Sequence, residues 1–221
     1  MNSALPTELD QRYLDTRQAF DSVAGQYRGP LGNNRLVQAM RAVLWRTVLE
    51  TTAPGARLLD LGCGAGLDTV FFARHGYRVK AIDWSPQMVI QTRRAAEQAC
   101  VAGRVEAMNL GIHELARLTG RNFDCIYSDL GALNCVGDLD AVARECQRLL
   151  APGGTLVFSV IGRHCPWELA YYGLRGDWTR AKVRWQLGQV PVGLNGQVVW
   201  TRYYHPREFY RFFAARFRSS G

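Results

Sequence analysis

The chain has 221 residues, enough for one domain with a full apolar core, and its 48% hydrophobic and 21% charged residues match ordinary globular usage. No apolar run approaches the roughly 18 residues of a membrane span, so no membrane partner is expected. Met1 to Asp10 lacks the basic region and apolar core of a signal peptide, which points to a cytoplasmic protein. Six cysteines form no CxxC pair and no Cys/His cluster with zinc spacing, so reduced thiols and no metal are expected. The net charge of +8 is uneven: residues 161–221 hold 10 basic and 3 acidic side chains and 13 of the 24 aromatic residues. Such a tail suits an acidic or aromatic partner. Arginine outnumbers lysine 25 to 2, so GC-rich coding alone also accounts for it.

Taken in chain order, residues 8–20 and 34–50 place apolar side chains at helical steps, with Gly29, Pro30 and Gly32 as breakers between them. In the second helix the apolar set is Leu36, Val37, Met40, Val43, Leu44, Val48 and Leu49. From Arg57, strand-like runs (57–60, 78–82, 105–109, 123–128 and 155–161) alternate with helix-like stretches near 66–75, 86–100, 112–118 and 138–149. This alternation predicts an α/β fold with a doubly wound, mostly parallel sheet, since parallel neighbours need crossover connections. Ser85-Pro86 reads as a helix start, and Pro152-Gly153-Gly154 as the turn from a helix into strand five. Residues 166–187 read as one or two aromatic, basic helices. Strands at 189–193 and 197–204 flank an Asn195-Gly196 hairpin turn, and 206–215 reads as a closing helix.

Leu58–Gly66 carries a strand into a loop with glycine at 62, 64 and 66, followed by a helix. Glycines here let the backbone approach a ligand at the strand's carboxyl end. A pyrophosphate-binding G-x-G-x-x-G needs glycine where Leu67 stands, and Asp60 would repel a pyrophosphate. A carboxylate before the loop suits a ligand with a cationic amino group. Asp83, ending the second strand, can accept both hydroxyls of a ribose, and Trp84 beside it can stack on a base. A helix N-terminal acid is the plainer reading of Asp83.

These residues resemble the class I, Rossmann-like S-adenosylmethionine-dependent methyltransferases of the small-molecule branch, over roughly residues 15–161. The resemblance rests on Leu58–Gly66, on Ile82–Met88, on Phe123–Ser128 and on Leu149–Gly154, with Phe20–Tyr27 as an N-terminal element. It implies S-adenosylmethionine as cofactor, with Asp60 and the loop of Gly62, Cys63, Gly64 and Gly66 at its methionine end and Asp83 on its ribose. It further implies Tyr27, Trp84 and Met88 near the cofactor, Gly111 and Ile112 at the adenine, and Ser128 and Leu130 lining the site. Many relatives carry an acidic residue near Gly111 that binds the adenine amino group; here backbone atoms or His113 would replace it.

Methyl transfer needs alignment, exclusion of water and, for some nucleophiles, a base. His164 is the candidate base, since its ordinary pKa lies near neutrality, and Asn134 is placed to touch the acceptor. Trp167, Glu168, Tyr171 and Tyr172 follow strand five as candidate acceptor contacts. A loop histidine and ordinary helix packing explain the same residues. The expected layout is a single domain: an N-terminal helical cap (1–52), a cofactor core (53–161), a substrate lid (162–204) and a C-terminal helix (205–221). The expected reaction is methyl transfer to an anionic or aromatic small molecule. Nucleic acid is the weaker reading, because Ser128-Asp129-Leu130-Gly131 lacks the proline turn of an amino-group methyltransferase and Cys165-Pro166 reverses the order a cytosine enzyme needs. A non-catalytic partner protein stays open, because the C-terminal hairpin looks shortened. The sheet edge this uncovers offers a place for a second copy.

Overall fold

The computed structural model describes residues 7–120 and 122–217, apart from the side chain of Leu31. Five parallel strands form one sheet in the order β3-β2-β1-β4-β5. They are β1 (Arg57–Leu61), β2 (Arg78–Asp83), β3 (Val105–Asn109), β4 (Phe123–Ser128) and β5 (Leu150–Phe158). Leu58, Leu59 and Leu61 are fully buried, as a central strand covered on both faces requires. The order reverses between β1 and β4, and the loops there open a crevice at the strands' carboxyl ends.

Helix α3 (Arg35–Thr51) and helix α4 (Leu67–Arg74) pack on one face, where Val48, Phe72, Tyr77 and Tyr127 meet. Helix α5 (Pro86–Gln98) lies beside α4 and starts as its sequence predicts, with Ser85 Oγ accepting from Met88 N at 3.1 Å. Helix α6 (Leu139–Leu149) and helix α9 (Pro206–Ala214) cover the other face, with Phe209, Phe212 and Phe217 against its core. Helix α1 (Glu8–Val23) crosses the carboxyl ends of the strands, and the short helix α2 (Pro30–Asn33) leads from it toward α3. Helices α7 (Pro166–Leu174) and α8 (Trp178–Ala181) follow β5.

The C-terminal hairpin is a sheet of its own: β6 (Gln189–Leu194) pairs antiparallel with β7 (Gln197–Arg202) and packs on α1. Asn195 and Gly196 both have positive φ, 49° and 75°, the pair of values a type I′ turn demands.

Four expectations change. Pro152-Gly153-Gly154 does not precede strand five but bulges within it, where the β4–β5 register shifts between Phe123 and Cys125. Strand five ends at Phe158 rather than Ile161, because the Asn134 side chain takes up the Ile161 backbone: Oδ1 accepts from its N–H at 2.8 Å and Nδ2 donates to its carbonyl at 2.9 Å. The edge beyond β5 is partly covered, since Tyr204 bridges Gly162 in parallel and its carbonyl accepts from Arg163 N at 3.0 Å. The 112–118 stretch forms a 3₁₀ helix over Ile112–Arg117.

Candidate functional site

A cavity of about 180 Å³ sits where α1, the glycine loop, the ends of β2 and β4, and β7 converge. Its floor is the loop after β1. Gly66 opens α4 at φ 79°, and a β-carbon there would come within 2.8 Å of the Thr92 backbone, so the helix approach admits glycine alone. Asp83 locks the loop: Oδ2 accepts from Gly64 N at 2.9 Å and Oδ1 from Ser85 N at 2.8 Å. Burial pushes its pKa up to about 6, with the two N–H donors opposing the rise.

One end of the cavity is charged. Asp68 and Arg41 both line it, paired at 3.2 Å, and Trp45 Nε1 donates to Asp68 Oδ1 at 2.7 Å. Arg41 is 4% exposed, and its Nη1 also donates to the Gly32 carbonyl at 2.8 Å. Burial raises Asp68 to about 6 against the pull of Arg41. Asp129, at the end of β4, has one committed carboxylate oxygen: Oδ1 accepts from Leu130 N at 2.7 Å and from Ser159 Oγ at 2.5 Å. Its Oδ2 is buried with no partner in a side chain that lines the cavity. A native fold leaves few such atoms without a reason. Among the described lining residues, three carboxylates face one arginine, a balance that favours a cationic ligand.

The other end is aromatic. Tyr13 stacks on His113 with ring centres 3.8 Å apart, and Trp84 meets the His113 edge at 4.9 Å. Trp84 Nε1 donates to the Tyr13 carbonyl at 3.2 Å, and Tyr13 Oη accepts from Gly137 N at 3.0 Å. Burial lowers the His113 pKa against the pull of Glu114 and Asp10, which disfavours the charged ring. The His113 ring also explains the missing acidic side chain at 111, since a β-carbon on Gly111 would lie 2.3 Å from His113 Cε1. The third wall is apolar, with Phe20, Leu130, Cys135, Val136, Ile161 and Val199, and Thr16 and Thr201 as its hydroxyls.

Of the sequence candidates, Tyr27, Gly62, Cys63, Gly64, Asp83, Trp84, Met88, Ile112 and Leu130 line this cavity. Asp60 lies behind the loop, fully enclosed, and accepts from Thr69 Oγ1 at 2.6 Å; burial and Asp68 push its pKa well up. Ser128 Oγ turns back to the Leu61 carbonyl at 2.9 Å. Neither these two nor Gly66 and Gly111 are among the lining residues.

The acceptor candidates are placed differently from the expectation. Asn134 is fully buried, and all its side-chain bonds go to backbone, including Nδ2 to the Arg202 carbonyl at 2.6 Å. His164 is exposed beside His205 and does not line the cavity. Trp167, Glu168, Tyr171 and Tyr172 also lie outside it, because Arg184 holds Glu168 through two bonds of 2.6 and 2.5 Å and ties α7 outward to the Gly162 carbonyl. Of the expected lid, only Val199 and Thr201 reach the cavity.

Sequence reasoning missed Arg41, Asp68, Asp129 and the Tyr13–His113 stack. Arg41 had a signal. It stands on the stripe Val37–Arg41–Trp45–Val48, and an arginine in the inward stripe of a helix is a marked residue.

A family model described as a methyltransferase domain matches residues 58–154. The ubiquinone biosynthesis O-methyltransferase of Xanthomonas euvesicatoria pv. vesicatoria is 37% identical over 164 residues, covering 74% of this chain and 67% of that one. The chain belongs to the class I S-adenosylmethionine-dependent methyltransferases. The enzyme of the same name from Xanthomonas campestris pv. campestris (strain B100) is 34% identical over 158 residues, 71% of this chain, and the match spans 62% of that relative's length. Among solved structures, a DhpI-SAM-HEP complex superposes with a TM-score of 0.67 at 18% identity, covering 96% of this chain and 90% of that one. A Burkholderia thailandensis 1,6-didemethyltoxoflavin-N1-methyltransferase gives 0.65 at 20% identity, with 98% and 81% covered. These two likenesses bear on the fold.

Proposed function

We propose that this methyltransferase binds S-adenosylmethionine in the cavity and methylates a hydroxyl on a small aromatic acceptor. The observation that carries the cofactor reading is the Asp83 clamp on the glycine loop, opposite the Arg41–Asp68 pair. Asp83 accepts the ribose hydroxyls, and Arg41 meets the carboxylate of the methionine portion while Asp68 faces its ammonium. Tyr13, Trp84, Ile112 and His113 enclose the adenine. When bound, the cofactor would supply a methyl group activated on a sulfonium, which passes to an aligned acceptor oxygen as the carbon–sulfur bond breaks and the neutral thioether leaves.

The acceptor reading rests on the apolar wall and on Asp129. That wall has no cation, and the arginines of residues 162–204 stay outside the cavity, so an aromatic acceptor is favoured over an anionic one. Asp129 Oδ2 stands at the carboxyl end of β4 and takes the hydrogen of the acceptor hydroxyl, with Leu130 N and Ser159 Oγ holding the other oxygen. The printed names of the Xanthomonas relatives, O-methyltransferases of ubiquinone biosynthesis, support an oxygen acceptor.

Calorimetric titration with S-adenosylmethionine, S-adenosylhomocysteine and NAD tests the cofactor reading. Micromolar binding of the first two with none of NAD supports it, and no binding by folded protein overturns it. For the acceptor, a panel of phenols is screened for methylated product. Asp129→Asn is expected to keep S-adenosylhomocysteine affinity and to lower turnover about a hundredfold. Unchanged turnover removes Asp129 from the reaction.

A further inference from the structure

Among the described residues, the most exposed large apolar side chains, Leu174, Leu187 and Trp167, lie outside the cavity. Trp167, Tyr171 and Leu174 are spaced by four and three residues along α7, so they share one face of that helix. Trp167 is 77% exposed and Leu174 91%, and Trp178, Trp185 and Leu187 add large exposed side chains just beyond. A soluble helix normally turns such a stripe inward; here it points to solvent. The inner side is already satisfied, because Arg184 staples Glu168 and the Gly162 carbonyl together and Ala181 is buried.

The charges around this stripe select the partner. Arg175, Arg180 and Lys182 are exposed among the aromatics, and the Arg175 guanidinium sits 3.9 Å from the Tyr171 ring centre. Both carboxylates of the segment are occupied, Glu168 by Arg184 and Asp177 by Arg180. Arg175 and Lys182 have no carboxylate partner among the described residues. Tryptophan and tyrosine favour the level of lipid headgroups, leucine inserts beneath it, and each nearby cation favours an anionic leaflet. A second copy is a poor occupant, because a two-fold contact sets this basic face against itself.

We propose that the face formed by α7, α8 and residues 185–187 is a peripheral membrane-contact surface for an anionic phospholipid bilayer. No helix of the described residues is long and apolar enough to cross a membrane, so the contact is interfacial. The expectation of no membrane partner came from the lack of an apolar run, and a surface contact needs no run. The face is rooted at Gly162, next to Ile161 of the cavity wall, so contact with a bilayer brings the cavity rim near the lipid surface. The proposal does not depend on the identity of the methyl acceptor.

Co-sedimentation with vesicles tests it, using phosphatidylglycerol mixed equally with phosphatidylcholine against phosphatidylcholine alone. Partition is expected to be at least about tenfold stronger on the anionic vesicles and to weaken with added salt. A Trp167→Ser/Leu174→Ser variant and an Arg175→Ser/Lys182→Ser variant should each lose about tenfold or more. All four positions are exposed, so circular dichroism and thermal melting should match the parent. Absence of binding to anionic vesicles overturns the proposal, as does binding that both variants retain. Self-association without vesicle binding, abolished by Trp167→Ser/Leu174→Ser, also overturns it and assigns the face to a second copy.

Discussion

Asp83 holds two backbone N–H groups and lines the cavity, yet burial raises its pKa to about 6, as it does for Asp68. Both acids bind the cofactor as anions under the proposed reading. Affinity for S-adenosylmethionine is therefore level above about pH 7 and falls as pH drops through 6, where both take protons. A decline of about tenfold per unit below the pKa is expected for one proton and steeper for two. Calorimetry from about pH 8 to pH 5 reads it, and a flat profile contradicts the assignment. Arg41 makes a separate case. Removing it as Arg41→Met leaves the Asp68 carboxylate buried beside Trp45 alone, which should cost about 3–5 kcal/mol in chemical denaturation. Adding Asp68→Asn to that variant should recover part of the loss. At this scale the sequence picked out Gly62, Gly64 and Asp83, which line the cavity, while its candidates Asp60, Gly66 and Gly111 do not. Asp129 was invisible, because its role comes from Ser159, 30 residues away, leaving one oxygen without a partner.

Asn134 acts on elements rather than substrates. Its amide joins the 3₁₀ turn Ala132–Cys135 to Ile161 after β5 and to Arg202 at the end of β7. Asn134→Ala should destabilise the protein by about 2–4 kcal/mol, because it removes three bonds and strands buried backbone groups. Thermal and chemical unfolding check this, and a loss under about 0.5 kcal/mol would contradict it. The elements themselves were legible from period and punctuation, down to the Ser85-Pro86 start and the Asn195-Gly196 turn. The facing of α3 was not. Its apolar residues run around the helix, and Leu36, Met40 and Val43 stay 70%, 44% and 62% exposed while Arg41 turns in. The core around Val48 and the Asp68 carboxylate of α4 together settle that rotation.

For the whole molecule, the doubly wound sheet followed from β-α alternation, whereas the C-terminal third depended on distant pairings. Tyr204 finds Gly162, and β7 finds α1 through Trp200 Nε1 donating to Asp15 Oδ2 at 3.0 Å and Trp200 N donating to Thr16 Oγ1 at 3.1 Å. The cavity wall thus comes from both ends of the chain, while α7 and α8 stand apart from it. Cofactor binding should slow amide hydrogen exchange in α1 and β7 and leave α7 and α8 unchanged. Protection confined to the glycine loop would show that the wall does not close on the ligand.

The contact between Asp15 and Trp200 joins positions 185 residues apart, and it also sets an order of events during synthesis. A ribosome releases α1 first, and the part of its surroundings made by β7 does not exist until that strand has emerged. Through that interval the glycine loop and the sheet have all their local partners, but Tyr13 and Phe20 have no finished wall to close. A nascent chain paused before residue 197 therefore carries the Asp83 clamp without a finished roof. Under the proposed reading, cofactor retention is therefore expected only once β7 has joined α1, and not from the folded sheet alone.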